Sequence, residues 1–289
     1  MKIKIREREI GDNFPVYVIA EIGLNHNGDI NLAKKLILEA KRCGADAVKF
    51  QKRFPDECVP EDKKLEPRRT PWGNMSYLEY RHKVEFGEKE YKEIDSFCLN
   101  ENIDWFVSVW DHSSVDFMKA FNPMAVKIPS DKLNDVEFLK KTKELNCPII
   151  LSSGGSIESI IDEAISTVGS ENNVLMQCTS IYPCEINQLD LAVISSFRDK
   201  YNIVPGFSCH QTSPVFGSFA VSHGARIVEQ HFTLNRAFWG SDQAMSLEPQ
   251  GMKYLVKYIR MFEESIGNGV KKVYDQEKKV LSRTVGRQK

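Results

Sequence analysis

Short apolar runs alternate with amphipathic stretches along the whole chain. VYVIAEIG (16–23) precedes INLAKKLILEAKRCG (30–44), and DAVKFQ (46–51) is followed, after a long polar insertion, by EKEYKEIDSFCLNE (88–101). DWFVSVW (104–110) leads into SSVDFMKAF (113–121), and MAVKIP (124–129) into DVEFLKKTKEL (135–145). PIILSSG (148–154) runs into SIESIIDEAISTV (156–168), and NVLMQCTS (173–180) into LDLAVISSFRDKY (189–201). VPGFSCH (204–210) and RIVEQHF (226–232) then precede PVFGSFAVSHG (214–224) and PQGMKYLVKYIRMFEESIG (249–267). The short runs read as strands and the longer stretches as helices. Units that alternate in this way demand parallel pairing with crossover helices, and eight of them closing on themselves make an α/β fold, the (β/α)₈ TIM barrel. An open doubly wound sheet would want a glycine-rich phosphate turn after its first strand, and EIGLNHNGDI contains no GxGxxG. The expected architecture is one barrel domain over residues 1–289, with a hairpin-like cap at 2–14 and a long insertion at 52–87.

Barrel enzymes carry their chemistry at the C-terminal ends of the strands, so the face on which each residue lies decides its interest. Counting alternate positions puts Glu21 with Ile19 and Tyr17, Lys49 and Gln51 with Ala47, and Lys127 with Ala125. The same count pairs Ser208 with His210 and Glu229 with His231, and sets Ser153 with Ile149 and Leu151. A lysine turned toward the apolar helix layer is costly, so these positions are read as facing one cavity. His210 and His231 end neighbouring strands, roughly 4.8 Å apart. Two imidazoles placed so can bind one divalent cation, with Glu229 or Asp242 adding an oxygen or orienting a ring. The competing reading is a hydrogen-bonded histidine pair. Lys49 and Lys127 suggest an anionic substrate, with hydroxyls of Ser130, Ser153, Ser208, Thr179 and Ser180 around it. Alternatively each lysine pairs with an interior acid such as Glu21, or one forms a Schiff base under the influence of cationic neighbours.

In GLNHNGD (23–29), Asn27-Gly28-Asp29 reads as a turn and helix cap, leaving Asn25 and His26 as polar groups at the mouth. The insertion is too long for an ordinary strand-to-helix connection and reads as a lid, with Trp72, Tyr77 and Tyr80 suited to stacking on a sugar. Bulk properties then narrow the partners. Lys and Arg number 39 against 40 Asp and Glu, with no basic block, which argues against nucleic acid. No apolar run reaches 18 residues and the N-terminus lacks the apolar centre of a signal peptide, so a soluble, cytoplasmic protein without a membrane partner is expected. Seven cysteines with no CxxC pair read as reduced thiols.

Eight stretches, in order, resemble the N-acetylneuraminate (sialic acid) synthase family: AEIGLNHNGD, GADAVKFQ, TPWGNMSYLEYRHKVEFG, AVKIPS, QCTSIYP, GFSCH, EQHFTL and GSDQAMSLEP. The resemblance implies a barrel that condenses phosphoenolpyruvate with an N-acetylated hexosamine such as N-acetylmannosamine, giving a nine-carbon 2-keto sugar acid with help from manganese or magnesium. It implies that Lys49, Lys127, Ser130, Ser153, Ser180 and Ser208 hold phosphoenolpyruvate and that His210 and His231 are metal ligands. Glu21, Gln51, Tyr182 and Asp242 match residues around the acceptor, with Glu21 and Asp242 as proton carriers. The pattern departs at Cys209, where relatives usually carry Asp, at Gln243 in place of His, and at Asp131-Lys132 in place of Gly-Glu. Many relatives also carry a C-terminal antifreeze-protein-like domain, which this chain is expected to lack; a homo-oligomer stays open. Acceptors of the legionaminic, pseudaminic or Kdo type, and a non-catalytic sugar-binding barrel, are the alternatives.

Overall fold

A computed structural model describes residues 1–284. Twelve strands run in chain order: β1 Lys2–Ile5, β2 Arg8–Gly11, β3 Tyr17–Gly23, β4 Ala47–Lys52, β5 Pro67–Thr70, β6 Gly73–Ser76, β7 Asp104–Val109, β8 Val126–Ile128, β9 Ile149–Ser152, β10 Val174–Cys178, β11 Val204–Cys209 and β12 Ile227–His231. Eight of them close a barrel in the order β3-β4-β7-β8-β9-β10-β11-β12, with β12 returning to pair with β3. Every barrel pairing is parallel, and helices fill the crossovers, beginning with Ile30–Arg42, which Asp29 caps by accepting from the Asn31 and Leu32 amides. The predicted barrel is therefore the observed fold.

Two apolar layers hold it. Between strands and helices lie Val18, Ala20, Ile22, Val48, Phe50 and Val107, packed on helical residues such as Leu36, Ile37 and Ile94. Inside the barrel, Tyr17, Ile19, Ala47, Phe106, Ile150 and Met176 fill the N-terminal half. The antiparallel β1–β2 hairpin seals that end by adding Ile3, Ile5 and Ile10 to the same cluster, so residues 2–14 are the floor that the pattern predicts.

The alternation count holds on every barrel strand to which it was applied except β9. There Ile149 and Leu151 pack into the helix layer, while Ile150 joins the interior cluster and Ser152 follows it inward. Three consecutive aliphatic residues followed by two serines look alike from either face, so hydrophobicity could not set the phase. Lys52 overturns a premise as well. It points outward yet is buried, because its ammonium meets Glu85 Oε1 at 3.0 Å and the Phe86 carbonyl at 2.9 Å. A buried charge is tolerated once it is paired. That contact pins the two ends of the 52–87 insertion together, and between them stand β5, β6 and the helix Tyr77–Val84.

Among the described residues no helix is long and apolar enough to cross a membrane. All seven cysteines are free.

Candidate active site

Two buried ion pairs sit above the apolar floor. Lys49 Nζ lies 2.7 Å from Glu21 Oε2 and 3.7 Å from Glu229 Oε1, and it donates to Ser108 Oγ at 2.7 Å. Lys127 Nζ donates to Glu229 Oε1 at 2.6 Å and to Ser208 Oγ at 3.3 Å. Burial alone would raise the Glu229 carboxyl, but Lys127 and Lys49 outweigh it and hold the group below the usual carboxylate range. The acid-paired alternative thus describes both lysines here, and carboxylate neighbours replace the cationic crowding that a Schiff-base lysine would use. Gln51 Nε2 donates to Glu21 Oε1 at 3.0 Å. A Cβ on Gly23, whose φ is +54°, would stand 3.2 Å from that amide, 3.2 Å from Glu21 Oε1 and 3.6 Å from Asp242 Oδ2. Glu21, Gln51 and Asp242 therefore converge over bare backbone.

A second convergence surrounds Gly154. A Cβ there would fall 2.2 Å from Ser180 Oγ, 2.7 Å from Ser130 Oγ and 2.8 Å from Cys178 Sγ. Ser130 and Ser180 accordingly meet where expected, with Cys178 between them. Ser153 does not join them. Its hydroxyl donates to the Met176 carbonyl at 2.9 Å, outside the lumen, and Ser152 lines the cavity in its place. Thr179 likewise turns its hydroxyl to the Gln188 carbonyl at 2.6 Å.

Its carbonyl has another use: it lies 2.6 Å from His210 Nδ1. A carbonyl only accepts, so Nδ1 carries the proton and the Nε2 lone pair is free. Burial, then His231 and Lys127, bring the His210 imidazole down to about 3, which keeps it neutral. The His231 ring centroid is 5.8 Å away, and its Nδ1 is buried without a partner. Tyr182 leans over both rings, 4.1 Å from His210 and 6.2 Å from His231. Among the described residues no group of three or more His, Cys, Asp or Glu is placed to hold a metal. The donor set this chain offers a cation is two imidazoles, the neutral His210 with its Nε2 free and His231 with its buried Nδ1 unpartnered, with the remaining positions left to water and substrate oxygens. That set fits a divalent ion bound at an open, reactive site rather than a closed structural one.

The cavity has two connected chambers. The inner one, about 240 Å³, holds the ion pairs, the serines and the histidines. The outer one, about 390 Å³, shares Gln51, Trp110, Asp131, Tyr182 and His231 with it and adds Asp242, Tyr77 and the arginines Arg53 and Arg81. From the insertion, then, Tyr77 and Arg81 face the cavity. Trp72 and Tyr80 instead pack edge-on against Trp239, at 5.6 and 5.3 Å, tying the insertion to the loop after β12.

Other singled-out polar residues prove structural. His26 stacks on Phe86 at 3.9 Å, and burial pushes its imidazole down to about 3. Asn25 Nδ2 donates to the Phe232 carbonyl at 2.8 Å and to Ser246 Oγ at 2.9 Å. Gln243, buried, donates to the Asn25 carbonyl at 3.0 Å. Cys209 packs in the helix layer, its thiol pushed up to about 12 by burial. Lys132 sets its ammonium 5.8 Å above the Phe138 ring, so Asp131 is the member of that pair that lines the cavity. Sequence reasoning missed Ser108, Ser152, Cys178, Trp110 and Arg53. Alternation would have found three of them, because Ser108 and, just past β7, Trp110 continue the inward phase of Phe106, and Cys178 continues that of Val174 and Met176 on β10.

Residues 36–271 match the NeuB family. The chain is 36% identical over 272 residues to an N,N'-diacetyllegionaminic acid synthase of Campylobacter jejuni, a match spanning 92% of this chain and 81% of that protein. It is 36% identical over 259 residues to an N-acetylneuraminate-9-phosphate synthase of Drosophila melanogaster, covering 86% of this chain and 68% of the other. The crystal structure of an N-acetylneuraminic acid (sialic acid) synthetase from Leptospira borgpetersenii, solved with citrate, superposes with a TM-score of 0.87 at 28% identity, covering 100% of this chain and 98% of that one. On the extent of these matches and the closed parallel barrel, the chain belongs to the NeuB family, in which the relatives named here are sugar-acid synthases.

Proposed function

We propose that this chain condenses phosphoenolpyruvate with an N-acetylated hexosamine, N-acetylmannosamine or a related acetamido sugar, forming a nine-carbon 2-keto sugar acid and releasing phosphate. The observation that carries the reading is the inner chamber itself: two buried lysines, two buried glutamates and a ring of hydroxyls lie beneath the paired imidazoles of His210 and His231. Lys49 and Lys127 bind the donor's carboxylate and phosphate, sharing themselves between those anions and Glu21 and Glu229. Ser130, Ser152, Ser180 and Ser208 donate hydrogen bonds to the same oxygens. The methylene carbon of phosphoenolpyruvate bonds to the acceptor's aldehyde carbon, whose oxygen takes a proton, and positive charge develops at the enol carbon. Water adds there and gives one proton to Glu21 or Asp242, and as the phosphate C–O bond breaks the remaining hydroxyl proton of the adduct leaves with the phosphate, forming the ketone. The lysines stabilise the charge that builds on the leaving phosphate. His210 and His231 would hold Mn²⁺ or Mg²⁺, which when bound supplies Lewis-acid polarisation of the aldehyde. Such a reaction belongs in the cytoplasm, where phosphoenolpyruvate is made.

Phosphate release from phosphoenolpyruvate with a panel of aldoses tests the reading. Release is expected only with an acetamido hexose or a close analogue, should stop on chelation, and should return with Mn²⁺. His231→Ala should lose Mn²⁺ binding with its melting temperature preserved. Phosphate release with no sugar in the panel would overturn the reaction, and full turnover after exhaustive chelation would remove the metal from it. The Campylobacter relative's name favours a second reading, the same condensation on a legionaminic-type acceptor, and the same panel decides between them.

A further inference from the structure

The lysines of the inner chamber are ion-paired with glutamates, but among the described residues the cations of the outer chamber form no direct ion pair. Arg53 lays its guanidinium 3.6 Å from the Trp110 ring centre, which fixes its plane, and Arg81 is only 5% exposed. Both line the same cavity. Among the described residues neither has a carboxylate oxygen within the 4.0 Å of an ion pair, and Arg81 Nη2 is buried without any hydrogen-bond partner. Glu85 spends its Oε1 on Lys52 at 3.0 Å and on the Arg53 backbone amide at 3.1 Å, and its buried Oε2, also without a hydrogen-bond partner, forms no ion pair with either guanidinium. Asp131 and Asp242 line the chamber too but stand beyond ion-pair distance of either guanidinium. Two desolvated like charges held side by side, with carboxylates near but none in direct contact, are costly to keep. Burial first, and then Arg81, bring the Arg53 guanidinium down to about 10, which is the mark of that cost.

A planar guanidinium with free donors is built for a phosphate or carboxylate, and two of them match the double charge of a phosphate monoester. Position narrows the choice. The aldehyde of the acceptor has to reach the donor in the inner chamber, so its remote end extends past Gln51 and Tyr182 into the outer one. We infer that Arg53 and Arg81 form a second anion site, which binds a phosphate monoester at the far end of the acceptor sugar. The inference rests on the condensation reading above and adds the substrate class: a phosphorylated acetamido hexose rather than a neutral one.

The test is calorimetric binding to the full chain, with no turnover required. N-acetylmannosamine 6-phosphate should bind at least tenfold tighter than N-acetylmannosamine. Arg53→Gln and Arg81→Gln should each erase tenfold or more of that advantage. Phosphoenolpyruvate, held in the inner chamber, should bind both variants as it binds wild type, and the loss for the neutral sugar should be smaller than the loss for the ester. Arg81→Lys, which keeps the charge but loses the fork, should keep part of the preference, and it serves if Arg81→Gln fails to fold. Inorganic phosphate alone is the control for source. Equal affinity of the two sugars for wild type would overturn the inference, as would an ester preference that survives both glutamine substitutions. So would inorganic phosphate binding as tightly as the ester with the same arginine dependence, since the site would then serve free phosphate. If the ester binds through the arginines and no phosphate is released, the condensation reading fails while the anion site stands; release with neutral sugar alone gives the converse.

Discussion

The two ends of this barrel are made from the same strands and could hardly differ more. At the N-terminal end the inward positions are Tyr17, Ile19, Ala47, Phe106, Ala125 and Ile150, closed from below by a hairpin that contributes three isoleucines. One or two alternations further along, the inward positions become Glu21, Lys49, Ser108, Lys127, Ser152 and Ser208. The lower half buries apolar surface and is a source of stability. The upper half buries charge, which is tolerated only through pairing and which stores free energy that a ligand's own charges can use. A barrel strand thus divides its work along its length, and a residue's height predicts its role better than its chemical type.

The sharpest way to break the contrast is at the floor. Phe106→Ala should cost about 3–5 kcal/mol of stability, the usual toll for an aromatic removed from a closed core. Turnover per folded molecule should stay near wild type, as judged by denaturant titration beside a phosphate-release assay. A variant that folds but loses turnover would show the two ends to be coupled after all.

At the upper end, Lys127→Met leaves Glu229 with Lys49 at 3.7 Å as its remaining cation. Stripping one partner from a buried pair should destabilise by about 3 kcal/mol, and phosphoenolpyruvate binding should weaken at least tenfold. The double variant Lys127→Met with Glu229→Gln should recover most of the stability and none of the turnover. Recovery of both would mean that the pair is structural.

The smallest effect resolves the phase of β9. Ser153→Ala removes a hydroxyl that serves the Met176 carbonyl and should lower stability by about 1 kcal/mol, leaving the phosphoenolpyruvate KM unchanged. Ser152→Ala should do the opposite, raising that KM several-fold at an unchanged melting temperature. The reverse pattern would put Ser153 in the lumen.

Much was legible from the chain alone, because the period of apolar residues is a local property. Eight strand–helix units, the hairpin floor and the inward phase of Glu21, Lys49, Lys127, Ser208, His210 and His231 all follow from counting positions, since strand geometry leaves only two faces to choose from. Counting fails where both faces are apolar, as on β9, and where a pairing partner comes from a distant segment. Glu85 lies 33 residues beyond Lys52 and makes an outward lysine tolerable. Glu229 lies 102 residues beyond Lys127 and turns a lone cation into half of a neutral pair. The same holds for Arg53 and Arg81, whose lack of a direct ion pair among the described residues is visible only once the insertion is folded over the mouth. Sequence determined which side chains could face the cavity, because alternation is dictated within each strand. Only the tertiary structure decided which of their charges are cancelled there, because electrostatic compensation depends on distances between elements that the order of residues does not contain.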